Sequence, residues 1–314
     1  SVRAVEDALG IRIPRAANTI RNLMIAQQYV QDHVMHFYHL HALDWVDVLS
    51  ALTADPADTW ALQRSISEWP NHSVEHFAEM QARVQAVVDS GRLSVFANGY
   101  WGHPAYRLSP AANLLLLAHY FEALDWQSQA TAIHVLFGGK NPHPNFVVGG
   151  VPLPIDMDSD AALNRDGLDV VGESIAHIRR FVSEVYWPDV LVLAPAYRDY
   201  ADIGEGLGNF LTWGEFPGED IDAIDDLFAP RGLILDRDLT AVTVPDPSDG
   251  ERMREYVARS WYRYRGGDDT GLHPWQGETR LAYTGPEPPY EALDVDAAYS
   301  WLKAPRWDDT PVEV

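Results

Sequence analysis

Between Pro14 and Pro56 the chain carries a periodic run, from Arg15 to about Leu52, that no glycine or proline interrupts. The run predicts one long helix, opened by Pro14 and ended by "TADPADT", with Pro56 as the stop signal. At about 1.5 Å per residue it would be roughly 55 Å long, enough to form the spine of a bundle. At about 100° per residue, Gln28, Asp32, His36 and His39 fall close to one another, whereas Val30, Val34, Phe37, Leu40 and Ala42 spread over the rest. Such a helix is apolar nearly all round with one polar stripe. Buried, the stripe must meet hydrogen-bonding partners or lie beside a charged centre.

Four histidines in "QDHVMHFYHLHALDW" invite a metal reading, which their spacing does not support. His33, His36, His39 and His41 never stand four apart, the spacing of the helical zinc motif. Hydrogen-bonded core histidines are the better reading, with Asp32 and His36 as a carboxylate–histidine pair for acid–base work.

Further elements surround this spine. Ser73 caps a helix ending at Gly91, and Ser109 with Pro110 starts another that runs to Phe137. "FGGKNPHPNFVVGGVPLPID" is too rich in glycine and proline for regular structure and reads as an ordered loop. A fourth helix, about 166–186, precedes "NFLTWGEF", "RGLILD" and "LTAVTV", which read as short strands, the last two joined at Asp236-Arg237-Asp238. A fifth helix is expected over about Ser248–Tyr264, before a second Gly/Pro/Trp-rich loop. The fold class is mainly α with a small antiparallel β part, a multidomain α+β arrangement. It divides into a long-helix bundle core (1–137), an ordered Gly/Pro loop at a partner interface (138–165), and a helix, small sheet and Trp-rich loops (166–314). Two long aromatic-rich loops suggest burial against a partner.

Composition excludes several classes. A formal charge of -23 opposes binding to a polyanion, which needs clustered Lys and Arg. The apolar run at Leu114–Ala118 is far short of a bilayer span. With no cysteine, the chain has no disulfide, no thiolate nucleophile and no thiolate metal ligand. "GEGLG" at 204–208 fails the dinucleotide fingerprint, "GGKNP" has proline where a phosphate loop needs a helix, and His273 in "GLHPWQG" is one histidine in a turn. The chain opens at Ser1 without an initiator Met and stops in a β-prone run, so it reads as an internal segment.

The stretches "SVRAVEDALGIRIP", "NLMIAQQYVQDHVMHFYHLHALDWVDV", "FGGKNPHPNFVVGGVP", "SWYRY…GLHPWQGET…YTGP" and "YSWLKAPRW" are collinear over almost the whole chain. Together they resemble the large subunit of uptake [NiFe] hydrogenases. The resemblance implies a nickel–iron centre with CO and CN ligands, held by cysteines in R-x-C-G-x-C and D-P-C-x-x-C motifs that lie outside this segment. It implies heterolytic cleavage of dihydrogen, with electrons passing to iron–sulfur clusters of a small subunit in a heterodimer or higher oligomer. By the same resemblance Asp32 reaches a polar canopy over the metals, beside an arginine outside this chain. His36 and His39 then support their surroundings and stay out of the catalytic set. His143 lies at the small-subunit interface near the proximal cluster, and Glu313 near a magnesium ion. Leu153 stands where relatives often have a cysteine that is not a metal ligand.

Two other classes remain in view. One is a catalytically silent relative, the quinone-site subunit of a respiratory complex; the "DHVMHFYHLHALDW" and "GGKNPHP" runs favour the hydrogenase. The other is a helical haem protein built on the histidine-rich helix. Location is open between membrane association through partner subunits and the cytoplasm.

Overall fold

The computed structural model describes residues 2–70, 72–92, 100–144, 155–219, 226–276, 279–283 and 298–314. Two compact units divide the chain, Ser1–Ile203 and Gly204–Val314.

The first unit is helical, and its centre is α7 (Pro110–Ala130). Leu114, Leu115, Leu116 and Leu117 are all buried, so this helix is apolar on every side and needs neighbours on every side. They are α2 (Arg15–Met35), α4 (Val48–Ala51), α5 (Pro56–Ile66), α6 (Val74–Asp89), α8 (Ala132–Gly138) and α9 (Arg165–Phe181). Two short helices, α1 (Val2–Leu9) and α3 (Ala42–Trp45), and α10 (Trp187–Ala196) complete the unit. Local chemistry sets the starts. Ser73 Oγ accepts from the His76 N–H at 3.1 Å, and Ser109 Oγ from the Ala112 N–H at 3.2 Å with Pro110 in the first turn. Both of these helix starts agree with the sequence reading.

The single long helix does not survive. It runs as α2 to Met35, widens into a π-helical turn over His36–His41, resumes as α3, and breaks at Val46, whose backbone is extended. Tertiary contacts hold the break: the Asp47 N–H donates to Asn113 Oδ1 at 2.9 Å, and Asp47 Oδ1 caps Leu49 at 3.0 Å. Pro56 is also misread as a stop, because Asp55 Oδ1 accepts from the Ala57 N–H at 2.8 Å and Pro56 opens α5. The run from Ser109 to Phe137 divides at Thr131, and the fourth helix continues through a π turn at Val182–Tyr186 into α10.

The second unit is built of short antiparallel pairs. Strand β1 (Phe210–Thr212) pairs with β4 (Gly232–Ile234), and β2 (Glu215–Pro217) with β3 (Leu227–Ala229). Strands β5 (Met253–Tyr256), β8 (Ala304–Trp307) and β9 (Thr310–Pro311) form a three-stranded sheet, and β6 (Tyr262–Arg263) pairs with β7 (Arg280–Leu281). Leu211, Leu233, Met253, Trp307 and Val312 form its core. The expected turn at 236–238 is present, with Asp236 and Arg237 at φ 54° and 59°, and it returns Thr243 to Leu233.

The helix expected over Ser248–Tyr264 is replaced by β5 and β6. Asp249, which could have opened a helix, instead accepts from the Glu251 and Arg252 N–H groups in a turn, and Met253 then pairs with Trp307. The division of the chain falls at 203/204, within the expected 166–314 segment. Helix α9 lies against α7 and α8, which places it with the bundle. Residues 145–154 of the Gly/Pro loop, Leu153 among them, lie outside the described residues. Among the described residues no helix is long and apolar enough to cross a membrane.

Candidate functional site

Helix α2 is polar on both of its faces. Its buried positions are Asn18, Arg21, Met24, Gln27, Gln31 and Val34. These polar groups are partnered: Arg21 makes a two-pronged ion pair with Glu6 at 2.6 and 2.7 Å, and Gln27 Nε2 donates to Gln31 Oε1 at 2.8 Å. The Arg21 guanidinium holds the Glu6 carboxyl below its ordinary range, against the effect of burial. The stripe expected to be buried is the more open one. Asp32 and His36 are exposed, and Gln28 Nε2 donates to Asp32 Oδ1 at 2.5 Å.

His39 leaves the stripe because the π turn inserts an extra residue, so an angular count at helical pitch fails beyond His36. It lies 3.3 Å from the carbonyl of Tyr120, and burial lowers its pKa. His33 meets the Tyr29 carbonyl at 2.7 Å and His41 the Asp44 carboxylate at 3.1 Å. Asp32 and His36 are not paired in any hydrogen bond, ion pair or ring contact, so the acid–base pair is not formed in this structure.

His143 is exposed and left-handed, at φ 60°. The loop before it is anchored by His134, whose Nε2 donates to the Met24 carbonyl at 2.8 Å while Nδ1 accepts from Asn141 Nδ2 at 2.7 Å. A Cβ at Gly138 would collide with Pro144, so this close approach requires glycine.

Glu313 belongs to the second unit. Its backbone N–H donates to the Asn209 carbonyl at 2.8 Å, and its Oε1 accepts from the Leu207 N–H inside the "GEGLG" turn. A side chain at Gly206 would collide with that carboxylate. His273 is a packing residue: it is 3% exposed, with Nε2 3.0 Å from the Pro247 carbonyl.

The polar centre that sequence reasoning missed lies against α7. Tyr38, carried inward by the π turn, donates its hydroxyl to Asp189 Oδ2 at 2.6 Å. His119 Nδ1 meets the same oxygen at 2.7 Å, and its Nε2 lies 3.4 Å from His72 Nδ1. His72 Nε2 meets Glu122 Oε2 at 2.9 Å, and Glu122 Oε1 accepts from Trp69 Nε1 at 2.9 Å. Asp189 is fully buried, whereas the Glu122 side chain is 21% exposed. Burial, then the neighbouring Asp189 charge, raises the Tyr38 pKa well above its ordinary value, so the phenol stays protonated and donates. Burial lowers the pKa of His72 despite its bond to Glu122. A signal for this centre was present. His119 and Glu122 interrupt "LLLLAHYFEA", and a polar side chain in the middle of an all-apolar helix must have a buried partner.

The sequence profile of the nickel-dependent hydrogenases matches residues 1–314. The chain belongs to that family. An uptake hydrogenase large subunit from Rhizobium leguminosarum bv. viciae is 48% identical, with 100% of this chain and 54% of that relative covered. The hydrogenase-1 large chain of Escherichia coli (strain K12) is 42% identical over the same shares. Among solved structures, the Ni-Fe-Se hydrogenase of D. vulgaris Hildenborough superposes with a TM-score of 0.63 at 27% identity, covering 97% of this chain and 49% of that one. The expected fold class, mainly helical with small antiparallel sheets, is that of the hydrogenase large subunits. The chain spans about half the length of the relatives it matches.

Thiolate ligation of the family's nickel cannot come from this chain. The sequence has no thiolate donor. Among the described residues His72, His119 and Glu122 bring ligand atoms within 4.8 Å of one another. His72, however, turns Nδ1 to His119 and Nε2 to Glu122, opposite edges of one ring. A cation at about 2.0–2.1 Å from a single nitrogen of each histidine would not also reach the carboxylate without the ring turning.

Proposed function

We propose that this chain is the part of a [NiFe] hydrogenase large subunit that scaffolds the nickel–iron centre, in an enzyme cleaving dihydrogen into protons and electrons. The observation that carries the reading is the match to the family over residues 1–314, with 48% identity to an uptake hydrogenase large subunit. When bound by cysteines elsewhere in the parent, the centre supplies the dihydrogen chemistry. The role of this chain is to position and to insulate. Asp32, exposed on α2, orients the polar canopy above the metals, an electrostatic role rather than direct proton abstraction. His143, projected outward by an anchored loop, meets an iron–sulfur small subunit. Glu313, fixed by the "GEGLG" backbone, stands near a magnesium ion. CO and CN ligands on iron complete the proposed centre. The names of the relatives favour this reading over a quinone-site subunit.

The test is to produce the full-length parent with its small subunit and measure nickel content and hydrogen-dependent dye reduction. Stoichiometric nickel with hydrogen oxidation is expected. A correctly assembled heterodimer with neither overturns the reading. His143→Ala in that heterodimer should slow reduction of the proximal cluster by hydrogen; unchanged assembly, cluster potential and transfer rate would remove His143 from the interface.

A further inference from the structure

The chain Glu122–His72–His119–Asp189–Tyr38 poses a counting problem. Suppose both carboxyl groups are ionised and both imidazoles neutral. Glu122 then takes the hydrogen of His72 Nε2, and Asp189 takes those of His119 Nδ1 and the Tyr38 hydroxyl. His72 Nδ1 and His119 Nε2, 3.4 Å apart on rings that lie at 23° with centroids 4.8 Å apart, would then have no hydrogen between them. One additional proton removes the conflict. In one arrangement Glu122 is a carboxylic acid donating to His72 Nε2, His72 Nδ1–H donates to His119 Nε2, and His119 Nδ1–H donates to an ionised Asp189. In the other, every hydrogen has moved one bond along: Glu122 is ionised, His72 donates to it from Nε2, His119 Nε2–H donates to His72 Nδ1, and Asp189 is the acid. Both arrangements hold the same number of protons and satisfy every contact of the chain.

We propose that Glu122, His72, His119 and Asp189 form a proton-binding relay that holds one proton beyond two neutral imidazoles facing two carboxylates, and passes it between the rim and the interior of the bundle. With His72 carrying its hydrogen on Nδ1, hydronium at the rim gives a proton to Glu122 Oε2 and leaves as water, which sets the first arrangement. Three N–H or O–H bonds then break and three form, ending with a proton on Asp189 while Glu122 returns to its ionised state. No heavy atom need travel. Recharging the chain afterwards requires His72 to return its hydrogen from Nε2 to Nδ1.

Several independent observations support this. Asp189 Oδ1 is buried and receives no hydrogen bond among the described residues, an unmet acceptor at the inner end of the chain. The two ends differ in access, with Asp189 sealed and Glu122 partly open, as a path from solvent to an interior store requires. His76 stacks on His72 with ring centroids 4.7 Å apart, and burial depresses both rings; the excess proton therefore rests on a carboxyl group and only passes through the imidazoles. Glu79 acts on His76, and Tyr186 with Glu122 on Tyr38, as the remaining titratable neighbours. The opposite-edge geometry of His72 fits protons rather than a single shared cation.

The proposal stands on this unit's geometry and is independent of the hydrogenase reading. Neutron diffraction on the intact heterodimer, exchanged into heavy water at neutral pH, reads it directly. Deuterium is expected between His72 and His119 and on one carboxyl group of the chain. An empty gap between the two imidazoles, or a metal ion or water molecule filling it, overturns the relay. Infrared spectroscopy of the same complex gives a second reading. A carboxylic-acid C=O band, shifted by deuteration, is expected at neutral pH; it should persist at altered frequency in Glu122→Gln and in Asp189→Asn and be lost in the double variant. If the wild-type complex lacks the band, or the double variant keeps it, no excess proton is stored there.

Discussion

Two sets of polar side chains lie in the helical unit, and water reaches only one of them freely. Gln28, Asp32 and His36 line the more open side of α2, where Asp32 bonds only one turn back along its own helix. Tyr38, two residues beyond His36, enters a buried chain that joins five side chains from distant parts of the sequence. The residue types are nearly the same. What separates them is the π turn, which rotates Tyr38 into the core while leaving His36 outside. The buried set finds its partners within the fold, Asp189 Oδ1 excepted, so it carries stability; the open set can be spent on an electrostatic task with little structural cost.

The comparison breaks most visibly at Asp189. Asp189→Ala strands the Tyr38 hydroxyl and the His119 N–H in the core, and full-length subunit should lose about 3–5 kcal/mol in denaturant unfolding. A loss below about 1 kcal/mol would show that the buried chain is no more structural than the open stripe.

A second test uses the buried ion pair of α1 and α2. Arg21→Met should cost about 1–3 kcal/mol at neutral pH, because the Glu6 carboxylate is left without its two-pronged partner. The sign with pH follows from the lowered Glu6 pKa. This stabilisation is fully present above the ordinary glutamate range and is lost as pH falls through the folded value, because the unfolded state takes up the proton first. Wild type and Arg21→Met should therefore converge in acid. Parallel pH profiles would contradict the assignment.

Histidine titration gives a smaller effect. Burial lowers the pKa of His39 and of His76, so both are neutral in the fold when their unfolded forms begin to charge. Stability should fall as pH drops below about 6.5, by at most about 1.4 kcal/mol per pH unit for each histidine. His39→Gln should flatten that slope, and an unaltered slope would rule out His39 as a source.

Much of this contrast was hidden in the sequence for identifiable reasons. Ser73, Ser109 and the turn at Asp236 were legible because capping and turn chemistry act over three or four residues. Pro56 was not, since proline marks a helix start as readily as an end and only the Asp55 cap decides between them. Val46 and Asp249 were settled by distant contacts, Asn113 in one case and the β8 strand in the other. The collinear motifs revealed the family, yet they pointed to Asp32 and His143, which are exposed, and to Glu313, which is half-buried. His72, His119 and Asp189 come together only once α7 is packed, and no local spacing relates them.

Asp32 should move stability least, and it sharpens the comparison most. Asp32→Asn keeps the side-chain shape and its capacity to accept from Gln28, so unfolding of the full-length subunit should change by less than about 0.5 kcal/mol. Its proposed role is a fixed charge aimed at a poorly solvated canopy, and such preorganised charges act on the rate rather than on the fold. Hydrogen oxidation should therefore fall by roughly 10-fold with nickel content unchanged. The buried set predicts the reverse pattern, lost stability with the rate per folded molecule retained. If Asp32→Asn shows that reverse pattern, Asp32 belongs with Tyr38 and Asp189 among the residues that hold the bundle together, and the canopy role falls.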